Sequence, residues 1–144
     1  MKKKNTYLYL TTTLLIIFDQ VTKYLCLNIN KKIIPKFFSL TYVQNKGALG
    51  GMFSGMTFLF IISSFIALYL IFKYRLKDKY FLGTILIISG IIGNLIDRIF
   101  RGYVIDFLDF KIFGYSYPVF NLADSFLVIG VFLILIKELK DETR

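Results

Sequence analysis

The sequence predicts an all-α membrane protein: four transmembrane helices, a small extracytoplasmic β-element and a short outer loop or helix. Three observations point there. The apolar residues, 56% of the 144, come in long blocks rather than at helical or alternating spacing. The mean hydropathy of +0.65 lies well above that of a soluble domain. The charges, formally +9 in net, flank the blocks instead of mixing into them, as bases do at the ends of membrane spans. At this length a single domain over residues 1–144 is the natural count.

Four blocks have the roughly 20 residues that a helix needs to cross about 30 Å of hydrocarbon. The first, Tyr7–Leu27, is interrupted by Asp19 and Lys23. Its leading Lys2-Lys3-Lys4 would also suit a cleavable signal, but three more spans follow, so a retained helix is the better reading. The second block, Phe53–Phe72, carries no charge. The third, Tyr80–Phe100, is polar only toward its end, at Asn94, Asp97 and Arg98. The fourth, Tyr117–Ile136, contains Asn121 and Asp124, with Pro118 placed to suit a first helical turn.

An even number of spans puts both termini on one side. That side would hold Lys2, Lys3, Lys4, Lys73, Arg75, Lys77, Lys79, Lys137, Lys140 and Arg144. The other would hold Lys31, Lys32, Lys36, Lys46, Arg98, Arg101 and Lys111. The excess predicts cytoplasmic termini. Of the outer segments, Lys36–Val43 is rich in aromatic and β-branched residues and predicts a strand, with Gln44–Gly47 as its turn. Gly47, Gly50, Gly51 and Gly55 then suit either a close backbone approach or a flexible linker. The second outer segment, Arg101–Pro118, is short, aromatic and broken at Gly102 and Gly114.

Composition narrows the chemistry. There is no histidine and one cysteine, Cys26. This excludes Ser-His and Cys-His machinery, the commonest zinc ligand and any intramolecular disulfide. Asp, Glu, Lys and Tyr remain for acid–base work. Basic patches interleaved with stacking aromatics, the mark of nucleic-acid binding, are not apparent.

The polar residues inside the blocks fall into sets. Asp19 and Lys23 are four apart and share a helix face, as a mutually neutralised pair or as part of a site. Asn94, Asp97 and Arg98 form a second set, and Gly90 and Gly93 beside them would admit a neighbouring helix. Asp97 and Arg98 could also snorkel to the interface. Asn121 and Asp124 are one turn apart near a helix N-terminus, whose dipole eases the burial of a carboxylate. Asp106 follows the apolar triplet Tyr103-Val-Ile105, whereas Asp109 reads as an exposed loop acid. If Arg101–Pro118 folds back over the fourth span, Asp106 meets Asp124. Two carboxylates that close share a proton. One then takes a proton from water while the other donates to a carbonyl oxygen.

Four ordered segments together resemble the type II (prolipoprotein) signal peptidases. They are Phe18-Asp-Gln-Val-Thr-Lys23, Tyr42-Val-Gln-Asn-Lys-Gly-Ala48, Gly93-Asn-Leu-Ile-Asp-Arg98 running into Gly102-Tyr-Val-Ile-Asp-Phe107, and Phe120-Asn-Leu-Ala-Asp-Ser125. The resemblance implies an aspartic endopeptidase of the bacterial cytoplasmic membrane. It would cut diacylglyceryl-modified prolipoproteins on the amino side of the lipidated cysteine, without a cofactor or metal. It implies Asp106 and Asp124 as the catalytic dyad and Asp19, Lys23, Asn45, Gly47, Asn94, Arg98 and Asn121 as supporting, substrate-binding residues, with Asp97 bracing Arg98 or the fold. The partners implied are lipid-modified signal peptides and membrane lipids, the chain acting as a monomer with its site near the outer face. One departure is Leu49-Gly-Gly-Met-Phe53, where the family usually continues Ala-Phe after Asn-x-Gly-Ala. It predicts a different seat for that loop. Three rival readings stand beside this one: a proton-coupled transporter component, a Ser–Lys protease using Lys23 and Ser125, and a non-catalytic assembly protein.

Overall fold

A computed structural model describes residues 2–47, 55–74 and 80–142. Gly50, Gly51, the Leu49–Phe53 departure and the expected start of the second span at Phe53 lie outside the described residues, as do Arg75, Lys77, Lys79, Arg144 and the side chains of Lys2, Lys3 and Lys4. In chain order the elements are α1 (Lys2–Leu25), β1 (Asn30–Ile34), β2 (Phe38–Asn45), α2 (Thr57–Tyr74), α3 (Phe81–Arg101), β3 (Val104–Ile112), β4 (Tyr115–Ser116) and α4 (Leu122–Glu142). The molecule therefore pairs four helices with an antiparallel sheet of order β1-β2-β3-β4 and is not all-α. Among the described residues, two helices, α2 and α3, are long and apolar enough to cross a membrane by length and composition.

Helix α3 is the hub, touching α1, α2 and α4. Its closest seam is with α4 and is made by missing side chains. A Cβ on Gly90 would strike the Ala123 carbonyl and the Leu127 side chain. On Gly93 it would lie 2.7 Å from Asp19 Oδ2, and on Gly130 it would lie 2.8 Å from the Gly83 carbonyl. In lipid, where burying apolar surface gains little, such close backbone approach is what holds helices together. Gly90 and Gly93 meet the expectation from sequence; Gly83 and Gly130 extend the same seam. Helix α3 stops at Gly102, whose φ of 76° is left-handed and whose N–H donates to the Arg98 carbonyl at 3.2 Å. By contrast, α2 buries none of its residues.

The sheet corrects three expectations. The first strand pair begins earlier than predicted, with β1 at Asn30 and β2 continuing through Asn45, where a turn was expected. The segment Arg101–Pro118, expected as loop or helix, is mostly the strand β3 and its return β4. The fourth helix begins at Leu122, not Tyr117, and Pro118 precedes it. What occupies 117–120 is a backbone clamp: Leu108 N donates to Phe120 O at 2.8 Å, Phe120 N to Leu108 O at 3.1 Å and Tyr117 N to Phe110 O at 2.8 Å. A ring stack of Phe38, Phe110 and Phe120, with centroids 4.6 and 5.7 Å apart, fastens the clamp to the sheet. This fold-back over α4 is the condition that brings Asp106 to Asp124.

Candidate active site

Asp106 stands on β3, opposite Val43 of β2, while Asn45 pairs with Val104. The diagonal neighbours in such a ladder are within side-chain reach, and Asn45 Nδ2 donates to Asp106 Oδ2 at 2.8 Å. Asp106 Oδ1 accepts from Asn121 Nδ2 at 2.6 Å. Asp124 enters from the first turn of α4 through a reciprocal capping box. Asn121 Oδ1 accepts the Asp124 N–H at 3.0 Å, and Asp124 Oδ2 accepts the Asn121 N–H at 3.2 Å. Its other oxygen, Oδ1, accepts from Asn94 Nδ2 at 2.7 Å. Asn121 thus touches both acids.

The three amides are held in one orientation by groups that can only donate or only accept. Lys23 Nζ, a pure donor, sits 3.0 Å from Asn94 Oδ1, so the Asn94 amino group turns to Asp124. The Gly47 N–H donates to Asn45 Oδ1 at 3.0 Å, so the Asn45 amino group turns to Asp106. Asn121 Nδ2 also donates to Asn94 Oδ1 at 3.2 Å.

Behind this layer lies a buried ionic cluster. Lys23 Nζ is 2.8 Å from Asp19 Oδ2 and 3.0 Å from Asp97 Oδ2, with all three side chains fully buried. Asp97 Oδ1 pairs with Arg101 and accepts from Gln20 Nε2 at 3.3 Å. The cluster grips the backbone next to each acid of the site. Asp19 Oδ1 accepts the N–H of Ala123, the residue before Asp124, at 2.9 Å. Asp97 Oδ2 accepts the N–H of Ile105, the residue before Asp106, at 3.2 Å.

Asp106 and Asp124 line a cavity of about 780 Å³ together with Asn45, Asn94 and Arg98 and an apolar wall that includes Phe37, Phe110, Tyr117, Leu127 and Val128. Asp106 is 1% exposed. Burial first, and then the charge of Asp124, push its carboxyl up to about 7 against the opposing hydrogen bonds of Asn45 and Asn121 and the charge of Lys23. A carboxylic acid of that kind can hold or release a proton near neutrality. Arg98 closes one side, with its guanidinium carbon 5.1 Å over the Phe60 ring of α2 and Nη2 3.4 Å from the Gly47 carbonyl.

Every residue expected at the site lies at it or directly behind it, with some changes of place. Asp19 and Lys23 are not on the cavity wall; their side chains are spent on the ionic cluster. Asp97 does not snorkel and makes its ion pairs to Lys23 and Arg101. Asp109 is on β3, half-buried, and accepts from Thr41 Oγ1 at 2.9 Å; it is not a loop acid. Ser125 Oγ donates to the Asn121 carbonyl at 3.0 Å while Lys23 is committed elsewhere, so no Ser–Lys pair forms. Two residues were missed by sequence reasoning. Gln20 Nε2 bonds the Gly93 carbonyl at 3.0 Å, and Arg101 Nη1 bonds Gln20 Oε1 at 3.2 Å. The spacing of Asp97 and Arg101 is the same acid-first i, i+4 pattern as Asp19 and Lys23, so the signal was there.

The sequence profile described as signal peptidase (SPase) II matches residues 11–140. Lipoprotein signal peptidases of Staphylococcus aureus strains JH9 and Newman are each 44% identical over 145 aligned residues, covering 94% of this chain and 89% of theirs. Two solved structures superimpose closely, both bacterial membrane enzymes determined by the in meso method. One, at 2.3 Å resolution, has a TM-score of 0.86 and 39% identity over 95% of this chain and 90% of its own. The other, at 1.9 Å, has a TM-score of 0.83 and 39% identity over 94% of each chain.

Proposed function

The chain belongs to the signal peptidase II family, and from that premise we propose that it removes signal peptides from lipid-modified prolipoproteins, with Asp106 and Asp124 as an aspartic dyad cutting on the amino side of the lipidated cysteine. The observation that carries the dyad is the bridge through Asn121, whose side-chain Nδ2 donates to Asp106 and whose main-chain N–H donates to Asp124. Two carboxyls line one cavity, both hydrogen-bonded to Asn121, with Asp106 raised to about 7. One proton is then available to the pair near neutral pH. The ionised carboxylate takes a proton from water as the water oxygen attacks the scissile carbonyl. The protonated carboxyl gives its proton to the carbonyl oxygen, forming a tetrahedral diol. As the diol collapses and the C–N bond breaks, the carboxyl that took the water proton gives it to the leaving amine. The other carboxylate takes a proton from a diol hydroxyl, so the dyad ends with one proton, as it began. Neither histidine nor a covalent intermediate is needed.

The remaining residues divide by depth. Asn45, Asn94 and Arg98 on the cavity wall would bond the substrate backbone, and Gly47 supports them through Asn45 and Arg98. Asp19, Lys23 and Asp97 are positioning residues, acting through Ala123, Asn94 and Ile105. The chain is one domain, 1–144, acting as a monomer, and all four helices cross the bilayer. Helices α1 and α4 are 24 and 21 residues long, and at 1.5 Å per residue each exceeds about 30 Å. The charges of α1 at Asp19 and Lys23 are turned inward, while Leu10, Leu14, Ile17 and Val21 are exposed to lipid. Both termini are cytoplasmic, the site is at the outer face, and the lipid of the substrate stays in the outer leaflet.

The test is incubation of the purified protein with a diacylglyceryl-modified precursor and with an unlipidated control, followed by mass measurement. The expected product is a mature chain beginning at the lipidated cysteine, from the modified precursor alone. Cleavage elsewhere, or equal cleavage of the control, would defeat the proposal.

A further inference from the structure

The end of the sheet farthest from Asn45 and Val104 collects two turns. The β1–β2 turn carries Lys36 and Phe37, and Lys111 N of β3 donates to the Phe37 carbonyl at 2.8 Å. The β3–β4 hairpin closes beside it, with Ile112 paired to Tyr115. The side chains here are large, apolar and uncovered. Phe113 is 96% exposed and Tyr115 83%, and Ile34, Phe37, Ile112 and Tyr117 are exposed as well. The exposed charges along the same edge are of one sign, and Asp109, in register with Lys32 through Ser39, is half-buried and accepts from Thr41 Oγ1. Lys31, Lys32, Lys36 and Lys111 are exposed, and residues 29–37 and 111–118 contain no acid.

Two features argue that this edge is built to meet something. The two-residue turn Phe113-Gly114 has φ of 51° and 84°, a shape that favours Asn, Asp or Gly at its first position. A phenylalanine held there is sterically disfavoured and displays its ring at the very tip. Second, the outer side of a membrane protein is ordinarily poor in bases, yet four lysines are gathered on this one edge. Aromatic rings ringed by lysines are the composition that settles at headgroup level, the rings among the upper acyl carbons and the ammonium groups on phosphates. Continuity favours the same partner: Phe37, Ile112 and Tyr117 also line the cavity of the candidate dyad.

We propose that this edge is a lipid-docking surface, inserting Phe113 and Tyr115 into the outer leaflet and seating its lysines on anionic phospholipid headgroups. The cavity mouth is thereby held at the depth where a lipidated peptide presents its backbone. The inference uses the outward orientation given above but not the dyad, so cleavage and docking can fail separately.

The chain has no tryptophan, so Phe113→Trp places a single fluorophore at the tip. The full-length variant would be reconstituted in nanodiscs of phosphatidylcholine with and without phosphatidylglycerol, using lipids brominated near the headgroup or near the chain end. The expected result is blue-shifted emission quenched more by the shallow bromines than by the deep ones. Phosphatidylglycerol should strengthen the quenching at low salt, and replacing Lys31, Lys32, Lys36 and Lys111 by glutamine should abolish that gain. Tyr115→Trp gives an independent probe should the first variant melt early in detergent. Water-like emission untouched by either bromolipid, in whichever variant is folded, would overturn the proposal. Quenching indifferent to phosphatidylglycerol would overturn its anionic-lipid component.

Discussion

Asp19 and Asp97 are fully buried, and the ammonium of Lys23 lies 2.8 Å from one carboxylate and 3.0 Å from the other. Asp106 and Asp124 are a second acid pair in the same molecule, and what lies between them is Asn121, its side-chain Nδ2 on Asp106 and its main-chain N–H on Asp124, with Asn45 and Asn94 at the flanks. Lys23 between the two carboxylates and Arg101 on Asp97 balance both charges and lock them. Amides supply hydrogen bonds but no compensating charge, so Asp106 still feels the charge of Asp124. The first pair is therefore suited to holding backbone in place and the second to moving a proton. The two are linked through Lys23, Asn94 and Asp124, and the locked pair also grips Ala123 and Ile105 beside the labile one.

The sharpest way to break this contrast is to neutralise one acid of each kind. Asp106→Asn and Asp124→Asn should each lower processing of a lipidated precursor by at least about 10²-fold, the scale of a lost general acid or base, with the protein still inserted and folded. Asp109→Asn, the control on the same strand, should leave the rate nearly unchanged. Near-normal cleavage by either dyad variant would end the mechanism.

The converse change is Lys23→Met. It leaves buried Asp19 without its cation and Asp97 with Arg101 alone, and breaking a buried pair in this way costs about 3–5 kcal/mol. Thermal unfolding in detergent should show the loss clearly, and activity should fall because Asn94 and the backbone before each dyad acid are released. A variant with unaltered melting would mean that the cluster is not the clamp described.

Smaller effects should appear in the pH dependence. With Asp106 at about 7 as the proton donor, activity should decline as pH rises past that value. Asn45 donates to Asp106 and favours its ionised form, so Asn45→Ala should move the alkaline limb upward; a downward shift would contradict the assignment. Stability follows the same sign. The folded chain keeps the Asp106 proton after the unfolded chain, with its ordinary carboxyl at 3.8, has lost it. That contribution is complete below about 3.8 and is lost as pH rises through about 7. Melting curves of the wild type and Asp106→Asn should therefore diverge across this window.

The candidate acids were legible because ionisable groups in apolar runs are costly and hence conspicuous. Asp19, Asp124 and the Asn94–Arg98 set declared themselves by being out of place. Strand β3 did not. Its Val104-Ile-Asp-Phe-Leu-Asp-Phe-Lys-Ile112 lies buried at one end and lines the cavity farther along, so the alternation that marks a half-buried strand is blurred. The start of α4 was misplaced because Pro118 was taken as a first-turn residue, although Asn121-x-x-Asp124 carries the capping spacing. Which residues touch substrate and which stand behind them is a matter of depth, and a face read from spacing gives direction without depth. Asp19 and Lys23 show this: the expected face, one layer farther in.

The glycine seam between α3 and α4 has a consequence for how this protein can drift in evolution. At Gly90 and Gly93 a single methyl group would meet the Ala123 carbonyl or the carboxylate of Asp19, moving the very turn that presents Asp124. Variation that reshapes the cleft is thus steered away from α3. It is left to positions such as Val128 and Ile129, which line the cavity, are exposed, and lie outside the ring stack.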